Sequence, residues 1–376
     1  MTNIYVIEPY GLSIVDVIDN YQSAIWRPSY SDIGDFELYL PATEKALNLL
    51  TKNNYLVREI DITTDEGGKA TFKNVMMIKN INITTDVENG DYLTVTGKEL
   101  KDILNRRIVW EEFVISTTSL VTIEHELQML VALNAAEPMD SNRKIPFLEF
   151  DEIKGIRRDI QKQITYDKLG KAVVDVCNTY SLGWEIYLVY NDGFTDSEVS
   201  SGGRLVFNIY EGVDRSYNQT ERPYVVFSDD FENLHNTTYE LNTENYANVT
   251  LVAGEGEGWE RIRTTVGEAS GLNRYEVFTD AKDISSNAGS ENEILYDDYV
   301  IMLQEKGREN LATASYTEGF SGEVLSDVTF KYGVDFFMGD IVTVINKYGI
   351  SRNVRVLSAI ESEDENGTKL VPQFNI

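Results

Sequence analysis

Histidine, cysteine, proline and positive charge are all scarce in this 376-residue chain. Two histidines, one cysteine and seven prolines are present, and 33 Lys and Arg face 62 Asp and Glu for a net charge of −29. Each shortage excludes something. A lone cysteine, Cys177, rules out an intrachain disulfide framework. It sits in an apolar helical pattern and reads as a small core residue. His125 and Glu126 open a pattern like that of a zinc protease, but the position four residues on is Met129, so the second ligand is missing. A histidine on a helix surface is the expectation there, and a loop position is expected for His235. A nucleophile triad would have to recruit one of these two histidines, and no Gly-x-Ser-x-Gly elbow is present.

The shortage of basic residues argues against nucleic-acid binding, which needs a positive footprint. It also disfavours anionic membrane surfaces, and simple solubility is the plain reading of the acidic excess. No stretch approaches the roughly 20 apolar residues of a membrane span. Met1 to Tyr5 has neither the basic region nor the apolar run of a secretion signal, so synthesis and folding in a cytoplasm are expected. The Asn-x-Ser/Thr sequons, Asn236-Thr237-Thr238 among them, are then chance matches.

What is present is strand-forming. Twenty-two tyrosines and many Val, Ile and Thr favour sheets. Phe36, Leu38 and Leu40 alternate with polar neighbours before Pro41, the period of a half-buried strand. Further strands are expected at Ile4 to Ile7, Asp19 to Trp26, Leu56 to Ile60, Asn74 to Ile83 and Tyr92 to Thr96, with a turn at Asp65 to Gly68. Helical spacing marks Ala46 to Leu50, Leu100 to Leu104, Leu120 to Leu130, Leu169 to Cys177 (with Thr165 as a cap) and Tyr296 to Leu311. Strand signals return at Trp184 to Leu188, Arg204 to Ile209, Tyr224 to Phe227, Ala247 to Ala253, Arg274 to Phe278, Asp327 to Lys331, Ile341 to Val344 and Val354 to Ile360. The pattern describes two β-rich modules flanking mixed segments.

Few constellations carry chemistry. Gly254-Glu255-Gly256-Glu257-Gly258 follows a strand as a phosphate-binding turn does, but its glutamates would repel phosphate; a flexible connection is expected. Two acidic stretches, one with Asn191, Asp192, Asp196 and Glu198 and one from Glu361 to Asn366, lack EF-hand spacing and read as solvated loops. With 62 acids, some carboxylate pair always lies at glycosidase distance, so such pairs carry no information. No catalytic, cofactor-binding or metal-ligating residue is nominated.

Several segments together resemble a known family. Ile18 to Trp26, Tyr30, Gly34-Asp35-Phe36-Glu37-Leu38 and Pro41 are similar to the start of siphovirus tail-hub proteins of Gram-positive phages. These in turn are similar to the contractile-phage baseplate hub and to the N-terminal module of tail-associated lysins. Gly97-Lys98-Glu99-Leu100, Leu104 to Ile108, Asn142 to Pro146, Phe227 to Leu234, Tyr246 to Val249, Val252 to Glu255 and Met338-Gly339-Asp340-Ile341-Val342 extend the likeness in order along the chain.

The resemblance implies an α+β, β-rich fold with two β-barrel-like domains and two small mixed α/β domains. The expected division is 1–110 for the first barrel, 111–223 for a mixed domain, 224–262 with 322–376 for a split second barrel, and 263–321 for an inserted mixed domain. It implies a homotrimer whose six barrels form a pseudo-sixfold ring between tail tube and tip, located in the virion and made in the host cytoplasm. Expected partners are other copies of itself, distal tail and tube proteins, the tape measure protein and receptor-binding or tip proteins. DNA would pass without specific binding, and no membrane contact or enzyme activity is implied. Since Phe374-Asn375-Ile376 follow the last hub-like strands directly, no appended lysin domain is expected. The alternatives are a carbohydrate-binding or cell-wall-glycan-degrading tail protein, for which four Trp and 22 Tyr offer stacking surfaces, and a component of a phage-derived injection machine.

Overall fold

A computed structural model describes residues 1–86, 90–191, 202–291, 293–315, 317–324 and 329–375, with backbone only at 236, 317–324 and 375. The chain opens with β1 (Ile4–Ile7), β2 (Ile14–Ile18), β3 (Ser23–Arg27), β4 (Asp35–Pro41), α1 (Glu44–Leu49), β5 (Tyr55–Arg58), β6 (Ile62–Thr64), β7 (Ala70–Phe72), β8 (Met76–Asp86) and β9 (Gly90–Glu99). Next come β10 (Phe113–Ser116), α2 (Ile123–Val131), β11 (Leu148–Phe150), β12 (Gln161–Ile164), α3 (Leu169–Thr179), β13 (Gly183–Tyr190) and β14 (Arg204–Tyr210). The last third runs β15 (Val226–Ser228), β16 (Leu234–Asn242), β17 (Val249–Ala253), β18 (Arg263–Val266), β19 (Glu276–Asp280), α4 (Tyr296–Thr313), β20 (Thr317–Val324), β21 (Ile341–Ile345), β22 (Ser351–Asp364) and β23 (Gly367–Asn375).

Local chemistry sets these elements. β4 buries Phe36, Leu38 and Leu40 and leaves the residues between them partly exposed, as strand periodicity requires. Thr43 Oγ1 accepts the Ala46 N–H at 3.1 Å and caps α1, and Thr122 does the same for α2. The expected cap Thr165 is not used, because α3 begins after Lys168. Leu100 to Leu104 form 3-10 rather than α-helical turns. Asp297 and Asp298 occupy the first turn of α4, where the helix dipole favours negative charge. Gly307 lets α4 lie close on the sheet beneath it, since a Cβ there would meet Val252 Cγ2 at 2.7 Å and Val266 Cγ2 at 2.9 Å.

Four sheets result among the described residues. The largest has 13 strands in the order β16-β20-β23-β22-β3-β4-β9-β8-β5-β1-β2, with β21 branching from β22 and carrying β15. A five-stranded sheet runs β11-β14-β13-β7-β6, a three-stranded sheet runs β18-β17-β19, and β10 pairs with β12. Among the described residues, four apolar clusters fill the interior. One is enclosed by β1, β3, β4, β8 and β9 around Trp26 and Phe36. A second lies under β15, β21, β22 and β23 around Phe227. A third joins α2, α3, β13 and β14 to the underside of β1, β5 and β7. The fourth packs α4 on β17.

Several expectations are corrected. The Asp65 to Gly68 turn does not lead directly from β5 to β8: two further short strands, β6 and β7, flank it and pair with each other, and β7 pairs with β13 in the five-stranded sheet. β17 pairs antiparallel with β18 and parallel with β19. The expected strand at Asp327 to Lys331 falls partly outside the described residues, and Thr329, Phe330 and Lys331 lie in no strand. Gly254 to Gly258 open the β17–β18 connection, and its first two residues are held: Arg261 Nε donates to Gly254 O at 2.7 Å, and the Glu255 N–H donates to Tyr299 Oη at 2.9 Å.

The large sheet contains one strand order twice. β3-β4-β9-β8-β5 is matched by β16-β20-β23-β22-β21. In each set a long hairpin, β8–β9 or β22–β23, carries a bulge, between Ile78 and Asn80 in one and between Val356 and Ser358 in the other. The residue before each bulge heads an equivalent ladder. Ile78 faces Gly97, Gly97 faces Phe36 and Phe36 faces Trp26. Val356 faces Phe374, Phe374 faces Phe320 and Phe320 faces Tyr239.

Candidate functional site, the joint between two strand sets

The residues considered for chemistry do not converge. His125 lies on the surface of α2 with its Nδ1 3.7 Å from Glu126 Oε1. His235 lies in strand β16 and not in a loop, because a run with little apolar alternation still forms a sheet edge. Cys177 is fully buried in α3, and burial pushes its thiol up to about 12. Such a group is protonated and inert at neutral pH. The acidic stretch from Asn191 to Glu198 lies, after its first residue, outside the described residues. Glu361 and Glu363 are in strand β22, not a solvated loop, and both are engaged by cationic or hydroxyl partners. Among the described residues no group of three or more His, Cys, Asp or Glu is placed to hold a metal ion, and no helix is long and apolar enough to cross a membrane. An open cleft of about 820 Å³ between α3, α4 and β22 contains Asp175 and Glu309, which are paired with Lys171 and Lys162.

The most elaborately built polar site joins the two strand sets. Antiparallel pairing of β22 with β3 sets Glu361 opposite Trp26, Ser362 opposite Ile25, Glu363 opposite Ala24 and Asp364 opposite Ser23. It continues as a bridge between Ser29 and Ser358, with the Tyr30 N–H donating to Leu357 O at 2.8 Å. Beneath this seam Arg58, at the end of β5, donates from Nη1 and Nη2 to both carboxylate oxygens of Glu361 at 3.0 and 3.1 Å. Its Nε donates to Asp61 at 2.7 Å, and its guanidinium lies 5.5 Å from the centre of the Trp26 ring. Asn74 donates to Asp61 at 2.6 Å while its carbonyl accepts the Trp26 indole N–H at 3.0 Å.

Burial dominates the electrostatics of this cluster. It works against the Arg58 cation, but Asp61 and Glu361 outweigh it and hold Arg58 in its charged form. Burial also pushes the Asp61 carboxyl up, and Arg58 and Asn74 draw it back only in part. At the end of the seam Tyr21 Oη lies 2.7 Å from Glu363 Oε2, and the Thr2 N–H donates to Glu363 Oε1 at 2.8 Å. Nothing local in the sequence signals this cluster, since its members are spread from Thr2 to Glu363.

Residues 3–374 match the family described as siphovirus ReqiPepy6 Gp37-like protein. The chain belongs to that family. No curated protein sequence matches it. The fold is similar to the tail protein of Neisseria meningitidis MC58, with 11% identity, a TM-score of 0.58, and coverage of 100% of this chain and 96% of that one. It is also similar to the prophage MuSo2 43 kDa tail protein of Shewanella oneidensis, with 9% identity, a TM-score of 0.56, and coverage of 99% and 98%. The fold is therefore that of phage tail proteins.

In this family member several buried polar residues of the tail-hub-like segments hold the backbone. Glu99 Oε2, fully buried, accepts the Gly34 N–H at 2.6 Å and lies 3.1 Å from Lys101 Nζ, which also donates to the Ser29 and Asp32 carbonyls. Asp340 accepts from the Val213 N–H at 2.8 Å, the Arg215 Nε at 2.7 Å and the Phe337 N–H at 3.0 Å. Asn233 donates to Val226 O at 2.9 Å and accepts the Ser228 N–H at 2.8 Å. Buried polar side chains used in this way fix turns and strand ends. Glu99, Asp340 and Asn233 each accept a backbone N–H of their own chain.

Proposed function

We propose that this chain is a structural hub component of a phage tail tip or baseplate, working as a homotrimeric ring without catalytic activity. In this reading the two strand sets are equivalent wall segments, barrel-like units supplied by residues 1–110 and by the C-terminal strands together with β15 and β16. Three copies would present six such segments, matching a sixfold tail tube on one face and a threefold tip on the other. The segment 111–223 and the β17–β19 unit with α4 would be peripheral modules. Distal tail, tube and tape measure proteins on one side and tip or receptor-binding proteins on the other are the partners of such a ring. DNA would pass through it without specific binding, and an acidic chain of net charge −29 disfavours adhesion of a passing polyanion. The virion is the location this implies.

One observation carries the reading: the twofold occurrence of a single strand order within one sheet, bulge for bulge. A subunit with two interchangeable edge-to-edge segments is suited to building a wall. The test is electron microscopy of the purified protein together with a cell-wall digestion assay. Rings with a central hole and no release of sugar or peptide support the proposal. Isolated particles that release reducing sugars would replace it with the glycan-degrading alternative.

A further inference from the structure

The joint inside one copy defines a joint between copies. β22 serves two neighbours: its first half, Ser351 to Arg355, pairs with β21, and its second half, Glu361 to Asp364, pairs with β3. β8 is its counterpart. The first half of β8 pairs with β5 at Met76 and Met77, with further backbone bonds at Ile78. Among the described residues, Asn80 to Thr85 have β9 on one side and no strand on the other. β3 likewise has a counterpart, β16, which forms the outer edge of the 13-stranded sheet.

The bare edge of β8 carries apolar side chains. Ile81 is 39% exposed and Ile83 is 55% exposed, on the same face of the strand. On β16, Leu241 is 54% exposed. Apolar side chains on a bare strand edge invite pairing with another chain, a hazard that folded proteins usually blunt with charge. Here the two bare edges are the counterparts of strands that already pair.

We infer that the second half of β8 pairs antiparallel with β16 of a second copy of this chain, repeating between subunits the β22–β3 joint found within one. This rests on the ring reading above and supplies its contact. The two ladders fix the register. Ile83 stands five residues past Ile78, as Glu361 stands five past Val356, and Tyr239 ends the ladder that Trp26 ends in the other set. Since Glu361 faces Trp26, Ile83 faces Tyr239 of the next copy. Thr84 then faces Thr238 and Ile81 faces Leu241. The buried ion pair of the internal joint is replaced by an apolar strip. The contact uses different strands on the two copies, so it is head-to-tail and closes into a ring when the rotation per copy divides a full turn.

The test is a cysteine pair across the inferred register. Directly opposed Cβ atoms lie about 4.5–5.5 Å apart, near enough for a disulfide after small adjustment, and the native Cys177 is buried. The double variant Ile83→Cys with Tyr239→Cys is oxidised and run on a denaturing gel, beside each single variant and an offset control, Ile81→Cys with Tyr239→Cys. Covalently linked species up to the size of the assembly, from the in-register pair alone, are expected. A second variant, Ile83→Lys, places a charge on the strip at a surface position. It should remain folded by circular dichroism and sediment as a single subunit. If the wild type assembles but only the offset pair links, or Ile83→Lys still assembles, the seam is wrong and the ring reading stands. If the wild type stays a single subunit at every concentration, both fall.

Discussion

Arg58 and Glu361 are 303 residues apart in sequence and are joined by two hydrogen bonds, at 3.0 and 3.1 Å. This contact lies beneath the β22–β3 pairing that joins the N-terminal strand set to the C-terminal one. Removing the cation alone would leave Asp61 and Glu361 facing one another without compensation. Breaking a buried pair in this way costs about 3–5 kcal/mol, so Arg58→Met should shift chemical denaturation by that order. The triple variant Arg58→Met, Asp61→Asn, Glu361→Gln should recover most of the loss, because no charge is then left stranded.

Gly97 sits opposite the β8 bulge, where an added Cβ would lie 2.0 Å from Met77 O and 2.7 Å from the Phe36 ring. Gly97→Ala must push the hairpin strands apart or distort the bulge, an overpacking cost of about 1–3 kcal/mol. Denaturant melts would measure the loss. The same substitution should also displace the bare edge that begins two residues past Ile78, so any oligomer should weaken along with the fold.

Acid should loosen the end of the joint. Burial raises the Glu363 carboxyl, but the hydrogen bonds from Tyr21 and Thr2 and the N-terminal ammonium outweigh it and hold the group below its ordinary 4.5. A carboxyl depressed in the folded state contributes fully above its unfolded pKa and loses that contribution as pH falls through the folded one. Stability should therefore decline on acidification below about 4.5, and Glu363→Gln should be less stable at neutral pH with a shallower acid limb. Thermal melts from pH 7 to pH 3 on both proteins would check this.

Much of the strand content was legible in the sequence, and the partners were not. Phe36, Leu38 and Leu40 announce β4 because one of its faces is buried. β16 escaped because Leu234 to Asn242 is an edge strand whose polar residues give no clean alternation. The turn at Asp65 to Gly68 is legible, but β6 and β7 on either side of it have three residues each, too few to show a period, and β7 pairs with β13, more than 100 residues away. Glu361 and Glu363 looked like a solvated acidic loop because Arg58, Tyr21 and Thr2, which neutralise or bond them, lie at the other end of the chain. The tail-hub-like segments pointed to the family, although Glu99, Asp340 and Asn233 within them are anchors for turns and strand ends.

Cys177 offers a clean report of global opening. With its thiol buried and pushed up to about 12, it should resist thiol reagents at pH 8 in the folded protein and react at an ordinary rate in denaturant. Fast labelling under native conditions would mean that α3 opens away from β13 more readily than its packing implies.

Repetition of one edge contact is what would close the ring. Its most direct measurement is the solution mass of the wild-type chain across a concentration series, by sedimentation velocity or native mass spectrometry. Three copies in one closed species, with no ladder of longer oligomers at high concentration, is the predicted result. A single subunit throughout, or a two-copy species that pairs like surface to like, would contradict it.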